Sequence, residues 1–391
     1  MMQAGGKPAR RSLRALVAGA GPAGLATALA LRDCGIDAVV LERADSLARR
    51  GTGLTLWPNA VAALRAIGAA DSVLAVSEPC DGIEIRSHRG ELLDATPGDV
   101  MRRKFGHCGI ALSRADLIDV LVSTLGRQHV RCAARCVDYR DDGKSVTVVL
   151  EGGEEMHGDV LVGADGMRSL IRAQMVGYGD DLRYAGYVVY RAIAEHDLHG
   201  KPGILTMGRG AQFGMFPMPR GRAYWFASLD APASARQLAA NTKYCLLESF
   251  ASWHEPIPGL VAATDTDALV SSAIYDREPL QTWSKGRVTL VGDAAHPSTP
   301  NLGQGTCQAF EDAVILARSL RDCDNVAVAL QTYEAHRRQR ANTISVQARR
   351  FGQIGRWSNP AACWLRNQMI KRLARRNREK QLHAMFAFDQ Q

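Results

Sequence analysis

The pattern of apolar and polar positions near the start of the chain predicts a strand, a helix and a second strand. Residues 14–19 (RALVAG) and 37–43 (DAVVLER) have the apolar runs of short buried strands. Residues 21–35 between them predict a helix that begins at a glycine. Together the three segments predict a βαβ unit of about thirty residues.

The pattern farther along the chain predicts more elements of this kind. Residues 112–126 begin with polar side chains and continue as an amphipathic helix, whereas residues 145–150 and 159–166 are apolar runs typical of strands. Residues 287–293 predict another buried strand, which we expect to return to the sheet of the first βαβ unit.

The middle of the chain has a different pattern. From residue 181 to residue 229, apolar and polar side chains alternate and aromatic residues are frequent, which predicts an inserted antiparallel sheet. A helix is predicted near residues 234–253. Helices near residues 303–321 and 326–351 complete the core, and a helical tail follows.

The length of the chain bounds its domain organisation. At 391 residues it exceeds the size at which one hydrophobic core usually stops growing, so we expect two domains. We predict an α/β fold in which a Rossmann-type nucleotide-binding domain holds an inserted antiparallel-sheet substrate domain and C-terminal helices follow. The predicted boundaries are 1–75, 105–180 and 285–350 for the discontinuous nucleotide-binding domain, 76–104 and 181–284 for the substrate domain, and 351–391 for the C-terminal helical tail.

The net charge of +8 owes part of its surplus to residues 371–380 (KRLARRNREK). No nucleic-acid-binding module and no interleaved aromatic residues accompany this basic segment, so we expect no nucleic-acid partner. A solvated basic helix face is the preferred interpretation. Attraction for anionic ligands or for a membrane surface is the alternative.

The nine cysteines are scattered along the chain. Cys132 and Cys136 are four residues apart, but no Cys-x-x-Cys pair or His/Cys ligand set accompanies them. This usage predicts a reduced, cytoplasmic protein without a metal site.

The N-terminal segment superficially resembles a signal peptide, because basic residues precede the apolar residues 15–31. The three glycines and Pro22 within that stretch are poor material for a continuous hydrophobic helix, so we reject this interpretation. No other segment is long and apolar enough to span a bilayer, and we expect no integral membrane segment.

The turn between the first strand and its helix carries a nucleotide-binding pattern. Gly19, Gly21 and Gly24 form Gly-x-Gly-x-x-Gly, Pro22 suits the first helical turn, and Glu42 ends the second strand. The glycines permit a tight turn and close approach of a pyrophosphate, whose charge the helix N-terminus attracts. The carboxylate of Glu42 can accept hydrogen bonds from ribose hydroxyls. A glycine-rich packing turn is the alternative, but the order of all these parts favours a dinucleotide site.

Residues 292–305 (GDAAHPSTPNLGQG) place an aspartate directly after a glycine and a Gly-x-Gly where a helix begins. Two prolines stiffen the turn between them. An N-capped helix after a proline turn is the structural alternative, which the Rossmann pattern upstream disfavours.

Three separated motifs together carry a family resemblance. With the glycine motif, residues 163–172 (GADGMRSLIR) and residues 292–305, the chain resembles the class A flavoprotein monooxygenases of the para-hydroxybenzoate hydroxylase-like family. The similarity covers most of residues 13–345. Residues 51–68 and 183–193 are most similar to the urate hydroxylase, salicylate hydroxylase and zeaxanthin epoxidase branches.

The resemblance implies that the dinucleotide is FAD, bound without a covalent link, with NADH or NADPH as a transient co-substrate. Asp293 would bind the ribityl chain, whose hydroxyls are donors, and the helix that follows would stabilise negative charge on the reduced flavin. Glu42 would bind the adenosine ribose and Arg43 would lie on the adenine side. The residues implied to contact FAD are Gly19, Gly21, Pro22, Ala23, Gly24, Glu42, Arg43, Gly53, Arg114, Val137, Asp165, Asp293, Pro300, Gly303, Gln304 and Gly305.

Several of these assignments have a structural alternative. Arg114 would contact the pyrophosphate and ribityl region, or else be a surface arginine. Asp165 would contact FAD and the nicotinamide cofactor, or else be a turn acid. Val137 would present its backbone to the adenine, Arg50 has no established role, and His296 is expected to pack or cap its loop.

Two residues are predicted to orient the substrate. In residues 222–230 (RAYWFASLD), alternation places Tyr224 and Phe226 on one face of the sheet and Trp225 on the other. The urate hydroxylase branch has a tyrosine matching Tyr224 near its substrate, and an arginine where this chain has Gln212. That difference disfavours urate, although Gln212 can hydrogen-bond a neutral carbonyl or phenol. Alternatively, Tyr224 is a core residue.

The activity that the resemblance implies is insertion of one oxygen atom of O₂ into an aromatic or heteroaromatic small molecule, through a flavin C4a-hydroperoxide. Epoxidation of an alkene is the alternative within this class. A flavin-dependent halogenase and a reductase of isoprenoid chains are weaker rivals, and a flavin-binding protein without oxygenase activity is the alternative from another class. We expect a monomer or a homodimer.

Overall fold

The computed structural model describes residues 13–47, 52–177, 180–232 and 241–388. The strands are β1 (Arg14–Ala18), β2 (Asp37–Leu41), β3 (Gly53–Leu56), β4 (Glu78–Pro79), β5 (Gly82–Ser87), β6 (Leu92–Pro97), β7 (Ile110–Ser113), β8 (Val130–Arg131), β9 (Cys136–Asp141), β10 (Val146–Leu150), β11 (Glu155–Gly158), β12 (Val160–Gly163), β13 (Arg183–Glu195), β14 (Gly203–Met207), β15 (Ala211–Met218), β16 (Arg222–Asp230), β17 (Val270–Asp276), β18 (Ser284–Lys285) and β19 (Val288–Leu290). The helices are α1 (Pro22–Asp33), α2 (Pro58–Ala66), α3 (Ala70–Leu74), α4 (Gly98–Phe105), α5 (Arg114–Leu125), α6 (Leu170–Val176), α7 (Thr242–Phe250), α8 (Ile257–Ala263), α9 (Gly305–Asp322), α10 (Val326–Gly355) and α11 (Pro360–Phe386).

The first sheet has the predicted Rossmann arrangement, with its strands in the order β18-β19-β12-β1-β2-β8. Strand β1 is paired in parallel with both β2 and β12, and β12 is paired in parallel with β19. The central strands β1 and β12 are buried almost throughout, because α1 and β11 pack against β1 and β10 packs against β12. The predicted return of residues 287–293 to this sheet is therefore confirmed.

The second sheet follows the order β17-β13-β16-β15-β14-β5-β6. Its pairs are antiparallel as predicted, except that β14 and β5 are parallel. These two strands are far apart in the sequence, so no hairpin dictates their relative direction. The alternation of residues 181–229 predicts the strands but carries no information about this pairing.

Two smaller sheets complete the strands, in the orders β3-β7-β4 and β11-β10-β9. Strand β4 lies within the predicted substrate range 76–104, yet it pairs with β7 from the predicted nucleotide-binding range 105–180. The division of the chain into two domains remains a proposal. Within it, the pairing with β7 groups Glu78 and Pro79 with the nucleotide-binding range.

The helices of the C-terminal half differ modestly from the sequence pattern. Helix α9 begins at Gly305 rather than 303, and α10 continues to Gly355. The helix expected near residues 234–253 is α7, and residues 233–240 lie outside the described part of the chain. The C-terminal tail is one long helix, α11, which lies against β6 and α10 rather than apart from the fold.

Candidate active site

A cavity of about 1620 Å³ lies where the Rossmann sheet, the second sheet and α11 meet. Ordinary small-molecule pockets have volumes of roughly 300–1,000 Å³, so this cavity has room for more than one ligand. The strand ends of the Rossmann sheet form one wall, and the inward face of the second sheet forms another.

The glycine loop after β1 has the geometry of a phosphate-binding turn. Gly19 has a positive φ of 107°, and a Cβ there would lie 2.5 Å from the carbonyl oxygen of Ala164. Gly21 instead faces the cavity, where a Cβ would meet only Arg114 Nη2, at 3.9 Å. The space above Gly21 therefore lies between the N-terminus of α1 and a guanidinium group, which suits a pyrophosphate.

Glu42 holds the end of β2 against this loop. Its Oε2 accepts a hydrogen bond of 2.8 Å from the backbone nitrogen of Ala20, and its Oε1 accepts one of 3.0 Å from Ala44. Each carboxylate oxygen retains a second lone pair, and the side chain lines the cavity. Glu42 is thus fixed in place with acceptor capacity left for a ribose.

Asp293 lies beside the start of α9, and a Cβ on the preceding Gly292 would lie 2.9 Å from Ala23 Cβ in the first turn of α1. A Cβ on Gly305 would be 3.8 Å from Asp293 Oδ1. The side chain faces the cavity but is enclosed by protein otherwise, and this burial raises the pKa of Asp293, although nearby His296 and Arg114 oppose the effect. A carboxylate acceptor at the surface of the cavity is well suited to a row of hydroxyl donors.

The two carboxylate oxygens of Asp165 differ in their hydrogen bonds. Its Oδ2 accepts hydrogen bonds from the backbone nitrogens of Leu170 and Ile171, at 2.7 and 3.3 Å, which caps α6. Its Oδ1 is buried and meets no partner among the described residues. Burial raises the pKa of Asp165. Both alternatives of the sequence analysis are therefore compatible with this side chain, since it is a turn acid that also lines the cavity.

The structure brings most of the predicted site residues together around the cavity. The residues that line it are Gly19, Gly21, Pro22, Ala23, Glu42, Arg43, Gly53, Arg114, Asp165, Tyr224, Asp293, Pro300, Gly303 and Gly305. Arg50 lies outside the described residues.

Four predicted residues lie elsewhere. Gly24 packs against Gly19 inside the turn, and Gln304 is buried with its Oε1 accepting a hydrogen bond of 3.0 Å from Asn59. The side chain of Val137 is 40% exposed at the surface, although the preceding Cys136 lines the cavity. Their roles remain predictions, now limited to backbone contacts or to support of the loops.

Gln212, the fourth, is buried beneath the cavity wall. Its Oε1 accepts a hydrogen bond of 3.4 Å from Asn301, and its amide nitrogen lies against Gly355. Asn301 and Gly355 line the cavity, whereas Gln212 does not. The geometry favours a role in positioning Asn301 over direct contact with the substrate.

An aromatic wall on the second sheet faces β3, where Tyr224 lies against Gly53. Tyr224 stacks at 6.2 Å from Phe216, between ring centroids, and Phe226 lies 6.4 Å from both rings. Trp225, between them in sequence, packs instead in a separate core with Phe213, 5.2 Å away. The alternation predicted from the sequence is therefore present.

Trp57 also belongs to this wall. Its ring lies 6.5 Å from Phe216 and 5.5 Å from Phe386, and its indole nitrogen has no partner among the described residues. A Cβ on Gly303 would lie 2.8 Å from that nitrogen. No local signal marks Trp57, because its neighbours come from α9, β15 and the last turn of α11.

The C-terminal helix α11 also lines the cavity, which the sequence pattern did not indicate. Its cavity-lining residues are Arg366, Met369, Ile370, Arg378, Gln381, Leu382, Ala384, Met385 and Phe386. Arg340 on α10 holds the end of this helix by donating to the carbonyl oxygens of Ala384 and Met385, at 2.7 and 3.3 Å. The spacing of Leu382, Met385 and Phe386 is that of a buried helix face, which was the available signal.

A buried charge network supports the start of α9 from below. Arg337 pairs with Glu311 at 2.5 Å and with Asp312 at 2.8 Å, and His296 lies 2.6 Å from Asp312. Burial would raise the pKa of Asp312, but His296 and Arg337 outweigh it and lower the pKa to about 2. His296 thus fixes the loop after Asp293, as expected.

The described residues contain no group of side chains arranged to hold a metal ion. Among the same residues, no helix combines the length and the apolar character needed to cross a membrane.

Comparison with known proteins identifies the cofactor class. A family model described as the FAD binding domain matches residues 12–348. The chain belongs to this FAD binding domain family. The open glycine loop, Glu42 and Asp293 fit FAD, whose pyrophosphate, ribose and ribityl groups need donors and acceptors at those places.

Two relatives and one solved structure give the activity. The chain is 38% identical to the aurachin C monooxygenase/isomerase of Stigmatella aurantiaca, across 93% of this chain and 95% of the relative. It is 33% identical to the FAD-dependent urate hydroxylase of Klebsiella pneumoniae, across 86% and 89%. HpxO of Klebsiella pneumoniae, solved with FAD and uric acid, matches with a TM-score of 0.89 and 30% identity, across 95% and 96%. The protein is an FAD-dependent monooxygenase with NADH or NADPH as electron donor.

Proposed function

We propose that this monooxygenase hydroxylates the ring of an aromatic or heteroaromatic small molecule that lies against the wall of Trp57, Phe216, Tyr224 and Phe226. The observation that carries the proposal is the contact between Tyr224 and Gly53, since it joins the aromatic wall directly to a residue that the resemblance implies to contact FAD. Aromatic rings pack on one another at centroid separations of about 4.5–7 Å, so this wall suits a flat aromatic partner.

The side chains around the cavity have separate tasks in this proposal. Gly21 and Arg114 hold the pyrophosphate, Glu42 the ribose, and Asp293 the ribityl hydroxyls. The N-terminus of α9 places partial positive charge at the ring. When bound, FAD supplies the redox chemistry, taking electrons from NADH or NADPH and activating O₂.

The proposed contact with the substrate depends on the burial of the Tyr224 side chain. Burial raises the pKa of Tyr224 while Arg191 beside it opposes the effect, so the phenol stays protonated and is able to donate a hydrogen bond. The side chain is only 6% exposed. We propose that its hydroxyl orients a substrate oxygen while the aromatic wall excludes water from the flavin face.

The experiment is to measure consumption of NADH, NADPH and O₂ by the purified holoenzyme with phenols, quinolones, purines and polyenes. Faster consumption together with a hydroxylated aromatic product supports the proposal. An epoxide that forms only from polyenes contradicts ring hydroxylation and supports epoxidation of an alkene. Flavin-bound protein that no compound stimulates contradicts ring hydroxylation and favours a binding role.

Two further properties belong to the same proposal. The nine cysteines are all unpaired, which supports a reducing, cytoplasmic location. We also propose a monomer or homodimer with a small molecule and O₂ as partners, which sedimentation analysis of the holoenzyme tests.

A further inference from the structure

The cavity continues well beyond the aromatic wall. Tyr224 and Phe226 lie on β16, and the sheet then continues through β15 and β14 to β5. Since neighbouring strands are about 4.8 Å apart, the cavity-lining residues of β5 are roughly 14 Å from those of β16. This distance is greater than one aromatic ring spans, so a ring beside Tyr224 leaves the far part of the cavity unfilled.

The floor of this far part is apolar. Ile83 and Ile85 on β5, and Leu205 and Met207 on β14, all line the cavity. Ile85 and Leu205 are direct partners in the parallel pair, and alternate residues of a strand share a face. The four side chains therefore form one continuous hydrophobic surface.

The roof comes from α11, which contributes Met369, Ile370, Leu382 and Met385. The helix is tied down along its length, since Lys371 pairs with Glu91 and Arg340 holds the final turn. Met369 is 44% exposed while also lining the cavity, which places the opening of the far part at the first half of α11.

Two arginines of α11 contact the protein in this region, although the Nε of Arg378 is buried without a hydrogen-bond partner among the described residues. Arg378 pairs with Asp94, and Arg366 donates a hydrogen bond of 2.8 Å to the carbonyl oxygen of Gly355. These contacts hold α11 to β6 and to the end of α10.

We propose that the space between α11 and the β14–β5 pair is a subsite for a long hydrocarbon chain, so that the substrate is an aromatic ring carrying such a chain. The inference rests on the proposed ring hydroxylation for the position of the ring, and names the substrate class. Each methylene that enters the subsite leaves water, which strengthens binding about fourfold.

The test is equilibrium dialysis of the FAD-loaded protein against a series of 4-alkylphenols, from 4-ethylphenol to 4-heptylphenol. The expected result is a dissociation constant that falls about threefold to fourfold with each added methylene. A dissociation constant that stays flat, or rises, with chain length overturns the subsite.

Matched variants on one helix locate the binding. Ile370→Gln places an amide in the roof, and should remove most of the dependence of binding on chain length. Leu365→Gln makes the same kind of change at a side chain that is 49% exposed and outside the cavity, and should behave as wild type. Equal effects of the two changes would show non-specific adsorption and contradict the proposal.

A filling variant covers the case in which Ile370→Gln fails to fold. Leu205→Trp should fill part of the subsite, so that affinity stops increasing at a shorter alkyl chain than in the wild type. If affinity stops increasing at the same chain length in both proteins, the subsite is contradicted. The two levels of the proposal remain separable. Binding that depends on chain length, without hydroxylation of any probe, supports the subsite and contradicts ring hydroxylation. Hydroxylation without a dependence on chain length supports ring hydroxylation and contradicts the subsite.

Discussion

The ring of Tyr224 packs directly on the backbone of Gly53, so closely that a Cβ on the glycine would lie 2.6 Å from Tyr224 Cβ. Gly53 belongs to β3 in the small sheet β3-β7-β4, and Tyr224 belongs to β16 of the second sheet. This contact fixes the distance between the two walls of the cavity. Any side chain at residue 53 must move the tyrosine or the strand.

We therefore expect Gly53→Ala to displace Tyr224 and to destabilise the protein by about 1–3 kcal/mol, as overpacking usually does. The ratio of hydroxylated product to NAD(P)H consumed should fall with it. Thermal unfolding and product analysis measure the two effects. Gly259→Ala is the control, because a Cβ in that helix would meet only Glu255 Oε2 at 3.8 Å. Equal melting temperatures for the two variants would contradict the packing argument.

Tyr224→Phe removes one hydroxyl without changing the ring. If that hydroxyl orients the substrate, FAD stays bound while a larger share of the electrons ends in hydrogen peroxide. We expect the ratio of product to NAD(P)H consumed to fall several-fold, since a hydrogen bond contributes about 0.5–1.5 kcal/mol. A ratio and a substrate affinity equal to wild type would return Tyr224 to a packing role.

Asp293→Ala should weaken FAD binding at least tenfold, because hydrogen bonds to a charged group contribute about 1.5–3 kcal/mol each. The raised pKa of Asp293 means that ionising it costs stability in the folded protein without FAD. The apo-protein of the variant should therefore melt no lower than the wild-type apo-protein. Fluorescence titration with FAD and thermal unfolding separate the two effects. A lower melting temperature with unchanged affinity would indicate a structural role.

The network beneath α9 predicts a pH dependence of stability. The pKa of Asp312 is lowered to about 2, so its contribution is complete above the unfolded value of about 3.9 and is lost as the pH falls towards 2. Asp312→Asn should cost about 3–5 kcal/mol at neutral pH, because it leaves Arg337 buried with one partner fewer. Urea unfolding at several pH values should show this difference shrinking as the solution is acidified.

The exposed pair of Arg103 and Asp99 provides the control for that measurement. Asp99→Asn should leave the unfolding free energy unchanged within error, since solvent screens exposed ion pairs. If the two asparagine variants behaved alike, burial would not be the source of the effect.

Acid precipitation of the holoenzyme should release yellow FAD into the supernatant, because the predicted contacts are hydrogen bonds and a helix dipole without an attachment residue. Absorbance of the supernatant and of the redissolved pellet measures this. Colour that stays with the pellet would show a covalent link.

The sequence by itself determined the cofactor-binding half of this protein. Gly19, Gly21 and Glu42 are set within one βαβ unit, so short-range periodicity and turn chemistry suffice to place them. Asp293 lies three residues beyond the buried strand β19, and the family resemblance assigned it to the ribityl chain. These elements were predicted to within a few residues because local pattern and final structure agree.

Only the tertiary structure decided the substrate-binding half. Trp57, Phe386 and the apolar face of α11 come from distant parts of the chain, and their local patterns are those of ordinary core helices. The position of Gln212 behind Asn301, and the parallel pairing of β5 with β14, likewise depend on which elements pack together. Periodicity tells which face of an element is buried, but the partner that buries it is chosen by packing over the whole molecule.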